Sequence, residues 1–280
     1  MLKTRLDGRT YLVTQPDHAE LSGHLAAHWG NEAFTQPGHF APVPDPERLR
    51  AAVVFAAAQH DNGWWEWEAA PELDGADGLP LGLDAGAERA GFERWRRGVR
   101  RFPEAPFASL LIAMHAHRLV ALSSKSSPPE ERKPAAAFLA ELDADQQRLT
   151  ARLRADEATA SWVAPESLRP HARLISLLDA LSLALCSDVI PARSGPTRGL
   201  GEDEIELPEV PRRSAADRVT LAFSPLGERR IRVRPYPFDT DPLPVSVIAR
   251  VFDRPPGGSA RFPTWWHAQP RTALEFRLVA

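Results

Sequence analysis

Leu174-Ile175-Ser176-Leu177-Leu178-Asp179-Ala180-Leu181-Ser182-Leu183-Ala184-Leu185-Cys186 is the most apolar stretch of the chain. It closes a helix predicted over 168–186, and a helix apolar on all sides belongs inside a core. One charge interrupts it. Asp179 falls on the same face as Ala172, Ile175, Leu183 and Cys186. A carboxylate in such surroundings costs on the order of several kcal/mol unless a cation or hydrogen-bond donors compensate it. Two explanations are open: Asp179 binds a metal, or it pairs with an arginine or caps a neighbouring turn.

Upstream the pattern stays helical. Thr14-Gln15-Pro16-Asp17 starts a helix with proline in its first turn. It runs to Gly30, with His18, Leu21, Leu25 and Trp29 on one face. Asp45-Pro46-Glu47 starts a second helix by the same signals. Leu49, Val53, Ala56 and His60 share its inward face, and Gly63 is placed to end it. Residues 72–86 are rich in Gly and Asp and read as a loop. An Arg-rich amphipathic helix is predicted over 87–101, with Phe92, Trp95 and Val99 as its apolar side. A buried helix over 106–122 carries Met114, His115 and His117, and an amphipathic outer helix spans 134–154.

Near residue 190 the chain changes character. Residues 190–215 read as a linker or extended loop. Beyond it, Val219–Phe223, Arg230–Arg234, Val245–Val251 and Ala273–Val279 have strand composition. These four strands make a small antiparallel sheet with one wet face, and residues 9–14 form a further short strand. The expected fold is mostly α with a small antiparallel β region. Its expected division is a helical, metal-binding core over 1–195, with a linker and C-terminal strand subdomain over 196–280 packed on it.

With 43% hydrophobic residues, the chain has material for a substantial core. A net charge of -3 gives no electrostatic case for a nucleic-acid partner. The single cysteine, Cys186, excludes an internal disulfide and any multi-cysteine zinc site. Met1-Leu2-Lys3-Thr4-Arg5 leads into polar residues rather than an apolar signal segment, and no apolar run is long enough to span a bilayer. A cytoplasmic protein with no membrane partner is expected. The glycine-rich fingerprints of P-loop and dinucleotide-binding folds are missing, as is the GxSxG elbow of a serine hydrolase.

His60-Asp61 stands where the second helix stops, an imidazole beside a carboxylate. Together these are ligand types that borderline divalent metals prefer. His18, His60 and either His115 or His117 lie on apolar helix faces that must point into one bundle. Bundles build metal sites from side chains on facing helices. With Asp61 and Asp179, the imidazoles and carboxylates come from four separate helices.

The order His18, His60-Asp61, Asp179 resembles the HD-domain superfamily of metal-dependent phosphohydrolases. That resemblance implies an HD-like helical bundle core in which His18, His60, Asp61 and Asp179 hold a divalent metal ion (Mn, Fe, Mg, Ni or Zn). It implies a second metal position in some members, for which His115 and His117 are the candidates here. The implied reaction is hydrolysis of a small phosphate ester or nucleotide by a metal-activated water, with Asp61 and His115 as catalytic residues. Some relatives with two irons are oxygenases. The Pro-rich stretch before His60 and the long loop after it depart from the superfamily's pattern, so no substrate pocket is carried over. Thr14-Gln15-Pro16-Asp17-His18-Ala19, His60-Asp61-Asn62-Gly63-Trp64 and Asp179-Ala180-Leu181-Ser182-Leu183 also resemble an uncharacterised bacterial family of unknown function, of the DUF3891 type. That resemblance covers most of the chain and implies no reaction.

Trp64-Trp65-Glu66-Trp67 follows the His-Asp pair. Its rings either cover the helix end or, with His117, wall a substrate pocket. Arg94, Arg96, Arg97, Arg100 and Arg101 form a basic run, read as a solvated face or a phosphate-steering patch. His24 and His28 have helical metal-pair spacing, but no Glu follows His24, and they read as flank residues. The expected function is a metal-dependent phosphohydrolase acting on a small-molecule substrate. The alternatives are a di-iron oxygenase and a non-catalytic ligand- or protein-binding module. The oligomeric state stays open, a homodimer being one option.

Overall fold

Thr14 opens the first helix as its sequence demands: its Oγ1 accepts the Asp17 N–H at 3.1 Å. The computed structural model describes residues 1–82, 88–126, 128–253 and 262–280, without the side chains of 88–90 and 263. The first helix, α1, spans Gln15–Ala27. Asp45 caps α2, Pro46–Ala58, by accepting the Arg48 N–H at 2.9 Å. One 3-10 turn, Asn62–Trp64, and a short α3, Trp65–Ala69, follow. Then come α4 (Glu88–Arg100), α5 (Pro106–Ser123), α6 (Pro129–Arg154) and α7 (Pro165–Cys186). The loop expectation over 72–86 and the start of the 87–101 helix reach, at residues 83–87, outside the described residues.

The helices pack where their apolar faces predict. His18, Leu21 and Leu25 of α1 are buried, as are Leu49, Val53 and Ala56 of α2, and Phe92, Trp95 and Val99 of α4. Helix α7 lies against α1, α2 and α5. Contrary to the expectation that no apolar run is long enough to span a bilayer, α5 has that length and apolarity, but α2, α4, α6 and α7 pack around it. Gly23 allows α1 and α2 to cross closely, since a Cβ there would stand 2.5 Å from the Ala58 Cβ. Helix α1 stops at Ala27, short of Gly30, because Trp29 leaves it to bridge to Phe238 and the Gly30 N–H bonds the Pro237 carbonyl at 2.8 Å.

The β region is larger than its expectation. Seven strands, β1 (Leu2–Leu6), β2 (Arg9–Val13), β3 (Ile205–Pro211), β4 (Arg218–Pro225), β5 (Arg230–Arg234), β6 (Leu243–Phe252) and β7 (Thr272–Val279), form one sheet in the order β1-β2-β6-β7-β5-β4-β3. All pairs are antiparallel except β5–β7, which is parallel. A mostly α, HD-like bundle with a small antiparallel region is therefore overturned: the fold joins helices to a large mixed sheet. The sheet takes strands from both sides of residue 195, because β2 pairs with β6, Val13 opposite Ala249.

The two unpredicted strands, β1 and β3, have clear physical reasons. Asp7-Gly8 joins β1 to β2 with both residues at positive φ (49° and 78°), the two-residue hairpin turn that Asp-Gly favours. Pro208 and Pro211 argue against a strand over 205–211. However, β3 is an edge strand, where a missing N–H costs no ladder bond, and its register shifts between Leu207 and Val210. Alternating burial along β6 and β7 turns Val245, Val247, Leu274 and Phe276 inward. Helix α1 rests on β6, and α7 reaches β3. A short helix α8, Phe262–Ala268, seats Phe262 and Trp266 in a smaller cluster with Met1, Leu12, Leu79 and Phe252.

Candidate metal centre

Four elements bring one group of side chains together under the sheet-helix junction. His18 comes from α1, His60 and Asp61 from the turn after α2, His115 from α5 and Asp179 from α7, and all five are buried. The His18 Nε2 lies 2.8 Å from Asp61 Oδ2. The His60 Nε2 lies 3.6 Å from the same oxygen and 3.3 Å from Asp179 Oδ1. His115 Nε2 stands 3.5 Å from Asp179 Oδ2. One ligand atom from each of His18, His60 and Asp179 lies within 4.8 Å of the others.

The backbone decides which way the His60 ring is protonated. Its Nδ1 faces the Ala57 carbonyl at 2.8 Å, and a carbonyl only accepts, so Nδ1 carries hydrogen and donates. In the neutral ring Nε2 is then a bare lone pair aimed between two carboxylates, and it has no hydrogen-bond partner. Only a proton or a metal ion makes that contact favourable. His18 has a similar support. With the Ser182 hydroxyl donating to the Asp179 carbonyl at 2.8 Å, its oxygen accepts from Ser22 Oγ and from His18 Nδ1, each at 2.9 Å. That leaves His18 Nε2 facing Asp61. An imidazole fixed through one nitrogen by a backbone or hydroxyl group is the usual setting of a metal-ligating histidine; the other nitrogen is unpartnered at His60 and stands 2.8 Å from the Asp61 carboxylate at His18.

The electrostatics describe the same balance. Burial opposes charge on His60, yet the Asp61 charge and the 3.3 Å contact that a protonated Nε2 makes with Asp179 outweigh it and lift its pKa to about 9. Burial would raise Asp179, but its contact with a protonated His60 and the other imidazoles around it hold it down at about 2. Burial dominates at His115 and lowers it to about 4, so that ring is neutral near pH 7. Two buried carboxylates among three imidazoles want a cation, and the donor set fits a borderline divalent metal held by His18, His60 and Asp179, with Asp61 adjacent.

A cavity of about 530 Å³ opens onto this cluster. His18, Asp61, His115 and Asp179 line it, with Trp64, Phe92 and Trp95 as aromatic wall. Trp64 lies on the wall of this cavity. Trp65 is not: it is 41% exposed and stacks against Arg101 and Phe102. His117 also points elsewhere, half-exposed and 3.3 Å from Asp143 of α6. His24 and His28 sit at the surface, bonded to the Pro244 carbonyl and to Asp239.

Sequence reasoning missed Ser182, Glu68 and the singular position of Arg94. Ser182 is one turn beyond Asp179, a spacing that puts both on one helical face. Glu68 is buried, paired with the Met1 amino group at 3.0 Å and accepting the Gln15 N–H at 2.7 Å. In the arginine run, Arg96 pairs with Glu93 and Glu141, Arg97 and Arg101 with Glu66, and Arg100 with Asp145. Arg94 alone of the five has no carboxylate within 4 Å among the described residues; it lies over the Trp67 ring at 4.0 Å and lines the cavity.

No curated protein and no solved structure matches the chain. A family model described as Protein of unknown function (DUF3891) matches residues 1–254, and the chain belongs to that family.

Proposed function

We propose that this chain is a metal-dependent phosphohydrolase that hydrolyses a small phosphate ester or nucleotide, with a ligand set of the HD type. The observation that carries the reading is the buried, partnerless His60 Nε2, fixed from behind by the Ala57 carbonyl and aimed between Asp61 and Asp179. When bound, a divalent cation supplies Lewis acidity towards a phosphoryl group and a water. His18, His60 and Asp179 hold it. Asp61, on the cavity side, orients the water through its carboxylate. His115, neutral near pH 7 and lining the cavity, would accept a proton from that water. Trp64, Phe92 and Trp95 exclude bulk solvent from the reacting group.

Elemental analysis of the purified protein tests the reading, together with phosphate release from a panel of phosphate esters. Near-stoichiometric divalent metal, lost in His60→Ala and Asp179→Ala along with phosphate release, is the expected result. A folded, metal-free wild type with no phosphate release overturns it. One observation favours a second reading, a two-metal oxygenase: the His115 Nε2 has no partner and faces Asp179 Oδ2. Two irons per chain, with oxygen uptake and no phosphate release, would select it.

A further inference from the structure

The cavity over the His/Asp cluster is lined by one arginine that, among the described residues, has no carboxylate within 4 Å. Its acids, Asp61 and Asp179, face the imidazoles of the cluster, and the nearby Glu68 is paired with the Met1 amino group. Its base is Arg94, and the other four arginines of the run all have acidic partners. An arginine on a surface helix needs no explanation, but this one is half-buried. Trp67 holds it in place, the guanidinium carbon 4.0 Å from the ring centroid. Burial lowers its pKa from the free value by more than the charges of Glu72 and Glu68 raise it. Its backbone is anchored too, since Gly63 packs against the Arg94 carbonyl with no room for a Cβ.

We propose that Arg94 is the anion-recognising residue of this cavity, and that the ligand it selects is an oxyanion carried on a planar aromatic ring. The guanidinium supplies paired donors matched to a phosphate or carboxylate. The ring is called for by the walls. Trp64, Trp95 and Phe92 offer flat apolar surface, and Leu119 and Val189 continue it outward. At about 530 Å³, the cavity has the size of an ordinary small-molecule site. The inference rests on the metal-centre reading only in treating this cavity as the substrate site, and it narrows the substrate to an aromatic oxyanion.

Calorimetric titration of the full chain with naphthyl phosphate, naphthoate and neutral naphthol tests it, before and after chelator treatment. The chelated sample removes any attraction of a metal for the anion. Both anions, or one of them, should bind, and Arg94→Gln should weaken that binding at least about tenfold in either sample. Arg94→Lys should retain part of it, and the metal content of both variants should equal that of wild type. Naphthyl phosphate against naphthoate distinguishes the two oxyanion sources. Equal anion affinity in wild type and Arg94→Gln overturns the inference, as does naphthol binding as tightly as the anions, or no anion binding at all. Metal-free wild type that still binds the anion through Arg94 upholds it while the metal reading falls. Stoichiometric metal with no effect of Arg94→Gln does the reverse.

Discussion

His60 shows how much one backbone carbonyl can decide. Because Ala57 takes the Nδ1 hydrogen, the ring has a single free nitrogen, and that nitrogen is aimed at two acids. Ser182 plays a similar part behind His18. Ser182→Ala keeps the helix, since alanine is the better helix former, but leaves His18 Nδ1 without its partner. Metal affinity should fall by about 10- to 100-fold, the usual cost of losing such support; competition with a chromophoric chelator measures it. The ligand types and their order were legible in the sequence, because each polar residue interrupts an apolar face. Ser182 was not, because a serine on a helix bonds the preceding turn as readily as a neighbour.

A second buried histidine sets an acid limit on stability. His171 is wholly buried, and its Nε2 accepts the Gly38 N–H at 2.8 Å, so it must stay neutral. Burial depresses its pKa from 6.5 to about 4. As pH falls, the unfolded chain takes up the proton first. The stability contributed is therefore complete above about pH 6.5 and is lost between there and pH 4, up to on the order of 3 kcal/mol. His171→Gln removes the titrating group, and urea midpoints compared across this window should show a shallower acid decline than wild type. A parallel decline in both would refute the assignment.

At the scale of elements, two glycines set how closely the site-bearing segments approach. A Cβ on Gly63 would lie 2.0 Å from the Arg94 carbonyl oxygen, and one on Gly23 would lie 2.5 Å from the Ala58 Cβ. The first neighbour is backbone and cannot rotate away. Gly63→Ala should therefore cost about 1–3 kcal/mol or more by forcing α4 from the turn that carries His60 and Asp61. Denaturant unfolding reads the loss, and reduced metal retention would show that α4 helps hold that turn. The sequence reading placed Gly63 as a helix end. In the fold α2 has already stopped at Ala58, and the glycine serves close packing instead. Helix faces were legible because periodicity is local; this contact was not, because it depends on a helix about 30 residues away in the chain.

At the scale of the molecule, the N-terminal hairpin and the C-terminal strands share one sheet, and α1 lies on it. Trp29, at the end of α1, is buried edge-on against Phe238, with ring centroids 5.8 Å apart. Such joins should make the chain unfold as one unit. A single calorimetric transition is expected, shifted to lower temperature by a chelator because the candidate ligands come from α1, the turn after α2 and α7 and bind metal only when these are assembled. Two separate transitions would show that the helices and the sheet are stabilised independently.

The sequence by itself determined the main helices, their inward faces and the ordered set His18, His60, Asp61 and Asp179. Caps, periodicity and a misplaced charge are all visible within a turn or two of chain. Only the tertiary structure decided the rest. It recruited residues 9–13 to a strand near residue 250, tolerated prolines at a sheet edge, sent His117 and Trp65 away from the cavity, and left Arg94 as the one base of its run with no carboxylate within 4 Å among the described residues. Strand pairing and ion pairing are contests among distant partners, and no local pattern records which partner wins.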